Sequence, residues 1–382
     1  MSRRFLIGQL ASFGDCLYAT AIAKQIKKDY PDSHVTWAVS SKCKSILFLN
    51  PHIDNIWEIV DEKKDFFNST WKGFEKEAEK RKKNGEFDEI IYSQILPKNL
   101  YKYNGTIRSS ILSAYKRPIT VDVNPDVYLT DVEINNVKKF IENNNINTYK
   151  HVILFECTPA SAQSNKVNME FAMQIAQAIV ENNKDICFIL SSHKSVNSAH
   201  GQIIDASELS FRENAELTHY CTFLVGCSSG ITWLSTSNWA NKSLPTLQLL
   251  DSNYSFFAGV HYDFEIWHLN SSKIAERLNF DVSLVVQMIN VYIHHGFSVL
   301  KEQYHQLYRV DYTYCKSVIN YGLHSFRPIQ TIQFIIRQRN NPHNLETTKI
   351  VSIFFKEILI VFIQKMHSVR KKITMLFRKR VK

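Results

Sequence analysis

Short apolar segments alternate with helical segments over most of the first 280 residues, and this alternation runs twice along the chain. Strands that alternate with helices predict a parallel sheet covered by helices on both faces. The polar stretch 142–148 separates the two runs and is typical of a domain boundary. We therefore expect two Rossmann-like α/β domains with a cleft between them, in which ligands bind beyond the carboxyl ends of the strands.

The pattern also predicts where the elements lie. Segments with the character of strands are 4–10, 35–39, 56–60 and 87–92 in the first run, and 151–155, 186–191, 223–226 and 244–250 in the second. Helices are expected over 15–30, 45–50, 168–182, 208–220 and 229–239. The Lys- and Glu-rich stretch 68–86 is interpreted as a solvated helix, with a positive patch for an anionic substrate as the alternative.

Beyond residue 281 the alternation is lost and the pattern becomes helical. The expected organisation is thus a first domain at 1–148, a second at 149–280, a helical extension at 281–346 and a basic amphipathic tail at 347–382. The predicted fold class is α/β, with two Rossmann-like domains facing a cleft and a helical C-terminal extension.

The tail holds almost all of the net charge. Residues 347–382 contain ten basic residues and one acidic residue, Glu357, whereas the whole chain of 382 residues carries a formal charge of +10. The apolar run 350–363 includes Lys356 and Glu357 and is too short to span a bilayer as a helix. Followed by basic clusters, it predicts a helix that lies in the interface of an anionic membrane.

Two other interpretations of the tail stay open. It could pack on the body of the protein with a frayed basic end. Nucleic-acid binding is a weaker alternative, because the remaining chain is nearly neutral and has no basic stripe or known binding motif. We expect no nucleic-acid partner.

The cysteines indicate a reducing compartment. Seven of them are widely spread and none forms Cys-x-x-Cys, which argues against a disulfide framework or a zinc site. The apolar N-terminal run is interrupted by Gln9 and Asp15, which is not typical of a signal peptide. A cytoplasmic protein is expected.

The first place with chemical potential is the turn Ser12-Phe13-Gly14-Asp15 between the first strand and the first helix. Glycine permits a tight turn, and the carboxylate follows it at the edge of the expected cleft. Asp15 is either a helix cap, a role that aspartate commonly fills, or a general base that removes a proton from a hydroxyl.

The second place is the run 226–232, Gly-Cys-Ser-Ser-Gly-Ile-Thr, which joins a buried strand to a helix. Small residues with available N–H groups at a helix start suit a phosphate or diphosphate, although an ordinary β–α turn would look the same. The candidate donor-binding residues here are Ser228, Ser229, Gly230, Ile231 and Thr232.

The third place is the polar loop 156–166 after the first strand of the second domain. Thr158, Ser161 and Lys166 could contact phosphates, and a lysine in a cleft would stabilise a departing anion. Phosphate-loop, dinucleotide-binding, hydrolase and metal-ligand motifs do not occur in the sequence. We expect neither a metal nor a cofactor.

In its order of motifs the chain resembles glycosyltransferase family 9, the family of lipopolysaccharide heptosyltransferases. The resemblance covers about residues 3–255, as an ordered series of short segments. Those segments are 5–15, 20–31, 34–39, 49–54 and 85–94 in the first half, and 211–217 and 223–230 in the second.

The resemblance implies a GT-B fold and a metal-independent, inverting transfer of a hexosyl or heptosyl group from a nucleotide-sugar donor, which is a substrate and not a cofactor. It matches Asp15 with the catalytic base and Lys166 with a phosphate-contacting lysine. It also matches the run 228–230 with the donor phosphate turn, while Ser12 and Gly14 form the acceptor-side turn. The acceptor it implies is a glycan or glycolipid of the lipopolysaccharide or capsule type, reached from the inner face of the cytoplasmic membrane.

The chain departs from the family pattern at several positions. Ser228 stands where the family has an acidic residue, Trp233 stands where it has a histidine, and the loop 191–194 lacks an acidic residue. Heptose is therefore not assumed as the donor sugar. Two alternative functions remain: a sugar-nucleotide epimerase, or a non-catalytic module that binds a nucleotide or glycan in a degenerate site.

Overall fold

The computed structural model describes residues 2–60, 69–95, 99–157, 166–196, 198, 200–251, 259–338 and 345–380. Within them the chain forms two separate sheets, one of four strands and one of six, in which every strand pair is parallel. Helices stand between the strands, and four more follow the second sheet. This arrangement confirms the predicted α/β class with a helical C-terminal region.

The first domain holds the four-stranded sheet, in the order β3-β2-β1-β4. Its elements are β1 (Arg4–Gly8), α1 (Phe13–Asp29), β2 (His34–Ser40), β3 (Asn55–Ile59), α2 (Trp71–Lys83), β4 (Glu89–Tyr92), α3 (Ile107–Leu112) and α4 (Asp131–Asn143). The central strand β1 is buried on both faces beyond Arg4, as its apolar sequence predicts. α2 buries Trp71 and Phe74 and exposes its charges, which confirms a solvated helix in this stretch.

The second domain holds the six-stranded sheet, in the order β10-β9-β8-β5-β6-β7. Its elements are β5 (His151–Glu156), α5 (Met169–Val180), β6 (Ile186–Ser191), β7 (Ile203–Asp205), α6 (Glu213–Leu217), β8 (Phe223–Gly226), α7 (Gly230–Leu234), β9 (Thr246–Leu250), α8 (Val260–Ile266) and β10 (Ile274–Leu278). The strand register places β5 between β6 and β8, so the carboxyl ends of these three strands meet at one edge.

Three predicted helices are shorter than expected. The segment expected to be helical over 45–50 is a short 3-10 turn, Lys44–Leu47, and the helix expected over 208–220 begins at Glu213. The helix expected over 229–239 ends at Leu234. Beyond its end, Asn238 pairs with the first domain: its backbone N–H donates to Pro125 and its amide oxygen accepts from Val127.

The C-terminal helices are α9 (Val282–Tyr304), α10 (Tyr312–His324), α11 (Pro328–Arg337) and α12 (Thr347–Arg380). Among the described residues, α9 is the one helix whose length and composition would allow it to cross a membrane. It packs on the second domain through residues such as Met288, Ile289 and Tyr292, and it kinks at Gly296, whose φ is 83°.

The chain then returns to the first domain. α11 lies against the short turn Leu100–Lys102, and the ring of Tyr314 on α10 stacks on Tyr103 with centroids 6.0 Å apart. Tyr314 and Phe334 belong to the same core as the first sheet. α10 and α11 are therefore part of the body of the first domain, whereas α9 belongs to the second.

Two arginines connect the domains. Arg108 on α3 is fully buried and its Nε lies 2.9 Å from the carboxylate of Asp263 on α8. Arg212, just before α6, contacts Glu133 on α4 at 2.8 Å and also donates to backbone carbonyls of the first domain. These buried ion pairs hold the two domains in contact.

Candidate active site

A cleft of about 710 Å³ opens between the two domains. The first domain lines it with Ser12, Phe13, Gly14 and Lys42. The second domain lines it with Glu156, Ser191, Ser192, His193, Ser207, Leu209, Phe211, Asn214, Ser229, Gly230 and Ile231. Nearly all of these residues follow the carboxyl ends of strands, where parallel sheets bind ligands. The cleft therefore unites residues of the first two regions singled out in the sequence with Glu156, the first residue of the third.

The start of α1 forms one wall of the cleft. The rings of Phe13 and Phe211 stack with centroids 4.5 Å apart and so join the two domains at this wall. Trp233 packs beside them, against the Tyr18 ring at 4.9 Å. A Cβ atom at position 14 would lie 3.2 Å from the Trp233 ring, so glycine is what allows this close approach.

Asp15 follows this wall at the third position of α1 and is partly exposed. Neighbouring protein atoms desolvate its carboxylate and raise its pKa to about 7, while a hydrogen bond from the Ser12 backbone N–H acts in the opposite direction. Asp15 is absent from the described residues that line the cleft. Its charge contributes to the raised pKa values of Tyr103 and of Tyr321 on α10, for which burial is the larger cause.

The turn 226–232 lines the cleft next to the start of α1, and a carboxylate lies inside the turn. Glu156, at the end of β5, accepts hydrogen bonds from the backbone N–H of Ile231 at 2.8 Å and from the Thr232 hydroxyl at 2.9 Å. It also accepts from the N–H of Cys227 at 3.2 Å. Burial raises the pKa of Glu156, and these hydrogen bonds partly offset the effect.

This internal carboxylate changes the interpretation of the predicted anion site. Two of the groups that the sequence assigns to the donor, the Ile231 N–H and the Thr232 hydroxyl, are used within the protein. The Ser228 N–H donates to Gln248 at 2.7 Å, and Ser228 has a left-handed backbone with φ of 55°. Ser229 and Gly230 remain at the surface of the cleft.

The third predicted region is placed differently. Thr158 and Ser161 lie outside the described residues. Lys166 is exposed, and its Nζ lies 5.9 Å from the centroid of the Phe280 ring. It lines a separate pocket of about 380 Å³ between α5 and the start of α9, and not the cleft.

Several residues of the cleft had no role assigned to them from the sequence. Lys42 is the one lysine or arginine among the described residues that line the cleft. It comes two residues after β2, and Glu156 is the last residue of β5, so both stand where the carboxyl-end rule would have directed attention. Asn214, another cleft residue, accepts a hydrogen bond of 2.9 Å from the Ser191 hydroxyl.

No group of three His, Cys, Asp or Glu side chains in the described part of the chain is arranged to hold a metal ion. The polar groups of the cleft are hydroxyls, an amide, a lysine, a histidine and a carboxylate. Such a set can bind the hydroxyls of a sugar or ribose and one anionic group. Lys42 supplies the one full positive charge of this set, and Glu156 supplies its buried carboxylate.

No protein-family model and no curated protein matches the sequence. Among solved structures, a glycosyl transferase of family 9 from Veillonella parvula is similar with a TM-score of 0.53 and 13% identity, over 77% of this chain and 91% of that one. ADP-heptose LPS heptosyltransferase II of E. coli gives a TM-score of 0.48 at 10% identity, over 76% of this chain and 98% of that one. A UDP-N-acetylglucosamine 2-epimerase gives a TM-score of 0.45 at 11% identity, over 85% of this chain and 97% of that one.

At these identities the similarity concerns the fold, and of these three structures only the first exceeds a TM-score of 0.5. This chain's own two parallel sheets and the cleft between them fit that fold. The chain therefore has the GT-B fold, with the architecture of a glycosyltransferase family 9 structure over 77% of its length.

Proposed function

We propose that this protein is an inverting glycosyltransferase that moves a sugar from a nucleotide-diphosphate donor to a glycan or glycolipid of the cell envelope. The observation that carries the proposal is the interdomain cleft itself. In it the start of α1 and the Ser229–Gly230 turn line the same space of about 710 Å³ on a GT-B fold, and Phe13 lies next to Gly230. Asp15, whose pKa is raised to about 7, directly follows Gly14, which lines that space.

In the proposed reaction Asp15 accepts the proton of an acceptor hydroxyl. The hydroxyl oxygen attacks the anomeric carbon of the donor sugar from the face opposite the diphosphate. The bond between that carbon and the diphosphate oxygen breaks, and its electron pair leaves with the diphosphate. A base with a pKa near neutrality suits this step because it is partly deprotonated at neutral pH and still binds a proton readily.

The leaving diphosphate needs positive charge beside it. Lys42 supports this role because it lines the cleft, and Ser229 and Gly230 supply backbone near it. Lys166, Thr158 and Ser161 were proposed from the sequence for the same contact, and Lys166 lies in the neighbouring pocket by Phe280. The mechanism we propose uses these protein groups and requires neither a metal nor a cofactor.

The proposal includes a place in the cell. α12 carries the basic tail, and many of its apolar side chains between Phe355 and Met366 are exposed. A helix of this kind binds the surface of an anionic membrane. We therefore place the protein in the cytoplasm, peripheral on the inner face of the cytoplasmic membrane, where residues 347–382 hold it.

One observation favours a second candidate, a non-catalytic module that binds a nucleotide or glycan. Glu156 already occupies N–H groups of the turn, and Trp233 fills the space beside Gly14. Such a module would bind a nucleotide sugar and transfer nothing. An epimerase, the other alternative, would convert the donor with no acceptor present.

A panel of nucleotide sugars tested by thermal unfolding distinguishes these functions. We expect one donor to raise the melting temperature of the wild type, and to raise it less in Lys42→Ala. Incubating that donor with and without envelope extracts then separates transfer, which needs the acceptor, from epimerisation, which does not. Binding without either reaction would support the non-catalytic module, and no stabilisation by any nucleotide sugar would contradict the proposal.

A further inference from the structure

α11 presents an apolar stripe to the outside. Its inward side chains, Thr331, Phe334 and Ile335, are buried, and the Phe334 ring packs against Tyr314 with centroids 6.2 Å apart. Its outward side chains, Ile329, Ile332 and Ile336, are exposed and spaced three and four residues apart, so they share one face. Ile329 keeps 72% of its surface exposed. Gln333 and Arg337 are exposed as well, so the three isoleucines interrupt the polar face that is expected of a helix in water.

The corner before α11 adds an aromatic ring to this stripe. Phe326 is 77% exposed, and its φ of 55° lies in the left-handed region, which is strained for a large side chain. The corner is held by backbone hydrogen bonds from Ser325 to Tyr321 and from Arg327 to Gly322. The fold therefore projects a phenylalanine outward at a position where a polar residue or glycine would be the ordinary choice.

α12, which packs against α10 and α11, repeats the arrangement. Ile350 and Val361 are on its buried side. The exposed residues Phe355, Leu359, Phe362 and Met366 follow a spacing of four, three and four residues on the opposite side. Two neighbouring helices thus each expose a row of large apolar side chains, which is more than single scattered surface residues.

The charged residues of α12 lie on different sides of the helix. Glu357, the one acidic residue of the tail, is turned inward and only 3% exposed. It accepts a hydrogen bond of 2.6 Å from Asn320 and lies 3.7 Å from Lys316, both on α10. The outward side of α12 therefore carries no acidic group among its described side chains, while Lys356 is exposed beside the apolar row.

We infer that Phe326, the outward stripe of α11 and the outward row of α12 form one membrane-docking surface, whose partner is an anionic lipid bilayer. Apolar side chains enter the acyl boundary, while cationic groups meet the lipid headgroups. The surface goes beyond the basic tail because α11 and Phe326 lie outside residues 347–382. Since α10 and α11 are built into the first domain, two helices would fix the orientation of the whole protein on the membrane.

The inference can be tested with the full-length protein and a dye at single positions. All seven native cysteines are buried, so an introduced exposed cysteine can be labelled selectively. We would attach an environment-sensitive dye to Ile332→Cys and, as a control, to Val132→Cys on α4. Val132 is 68% exposed and lies far along the chain from the proposed surface. With vesicles containing phosphatidylglycerol, the emission of the dye at position 332 should shift to the blue, and that at 132 should not.

Flotation with the same vesicles measures the affinity. The variant Ile329→Ser/Ile332→Ser/Ile336→Ser should bind at least about tenfold more weakly than the wild type, because three side chains lose their burial in lipid. Serine and isoleucine have similar helix propensities, so α11 should persist, and circular dichroism checks this. Val132→Ser should bind like the wild type.

Two results would overturn the inference. The first is normal vesicle binding by the triple variant with no spectral shift at position 332, which would leave the basic tail as the sole anchor. The second is a shift that occurs without vesicles and rises with protein concentration, together with a dimer mass by light scattering. That second result would show that another copy of the chain covers this surface. Neither result bears on sugar transfer, which is tested separately.

Discussion

The carboxylate of Glu156 accepts a hydrogen bond of 2.8 Å from the backbone N–H of Ile231, inside the turn that the sequence assigned to a phosphate. The bond joins the carboxyl end of β5 to the first turn of α7. It is possible because β5 and β8 are neighbours in the sheet, so the residues that follow them meet at one edge. A carboxyl group of the protein itself thus stabilises the turn that borders the cleft.

Glu156 should make stability depend on pH. Burial raises its pKa in the folded protein, so the folded state binds a proton more tightly than the unfolded state does. The stabilisation from that proton is present at low pH and is lost as pH rises through the folded pKa. Glu156→Gln has no such proton to lose, so the melting temperature of the variant relative to the wild type should increase from pH 5 to pH 8.

Thermal unfolding of both proteins across this pH range provides the measurement. Asp15 and Glu276 also have raised pKa values, but they are present in both proteins and cancel in the difference. If the melting temperatures of the two proteins changed in parallel with pH, burial would not raise the pKa of Glu156.

Lys42→Ala should weaken the binding of a nucleoside diphosphate about tenfold, because a charge-assisted contact to a phosphate contributes about 1.5 kcal/mol or more. Titration calorimetry with UDP, ADP and GDP measures this. Lys44→Ala is the matched control, since Lys44 is two residues away and lies 2.6 Å from Glu58 in an ion pair. If Lys166→Ala weakened the binding of the nucleoside diphosphate and Lys42→Ala did not, the phosphate contact would be Lys166, as predicted from the sequence.

Arg108→Ala should lower the free energy of unfolding by about 3–5 kcal/mol, because it leaves the buried carboxylate of Asp263 without its partner. Chemical denaturation monitored by circular dichroism measures the change. Arg108→Met/Asp263→Leu removes both charges and should recover much of the stability. If the double variant were less stable than Arg108→Ala, the pair could not be the cause of the loss.

The strands of the first sheet were predictable because a short apolar run between two helical segments is readily assigned as a buried strand. The missed strands were harder for physical reasons: β7 has three residues, and β10 carries Glu276 and Arg277 within it. Glu276 is fully buried there and accepts the His261 backbone N–H at 2.8 Å, at the start of α8. Such a partner comes from tertiary contact and leaves no local sequence pattern.

The candidate site also has residues that the sequence predicts and residues that it does not. The turns at Gly14 and Gly230 were recognisable because small residues between a strand and a helix leave a local pattern. Lys42 and Glu156 reach the cleft because neighbouring strands end together, a relation that depends on strand order. Lys166 was assigned by its place in a motif, and the path of the chain carries it to Phe280.

Sugar transfer by Asp15→Asn, compared with the wild type between pH 5.5 and 8.5, tests the central claim most directly. We expect the variant to lose at least about a hundredfold in turnover and to bind the donor with unchanged affinity. The wild-type rate should fall as pH drops below about 7, where Asp15 becomes protonated and can no longer accept a proton. Asp32→Asn, in the exposed turn after α1, should behave like the wild type. Equal turnover by Asp15→Asn and the wild type would contradict the assignment of Asp15 as the base.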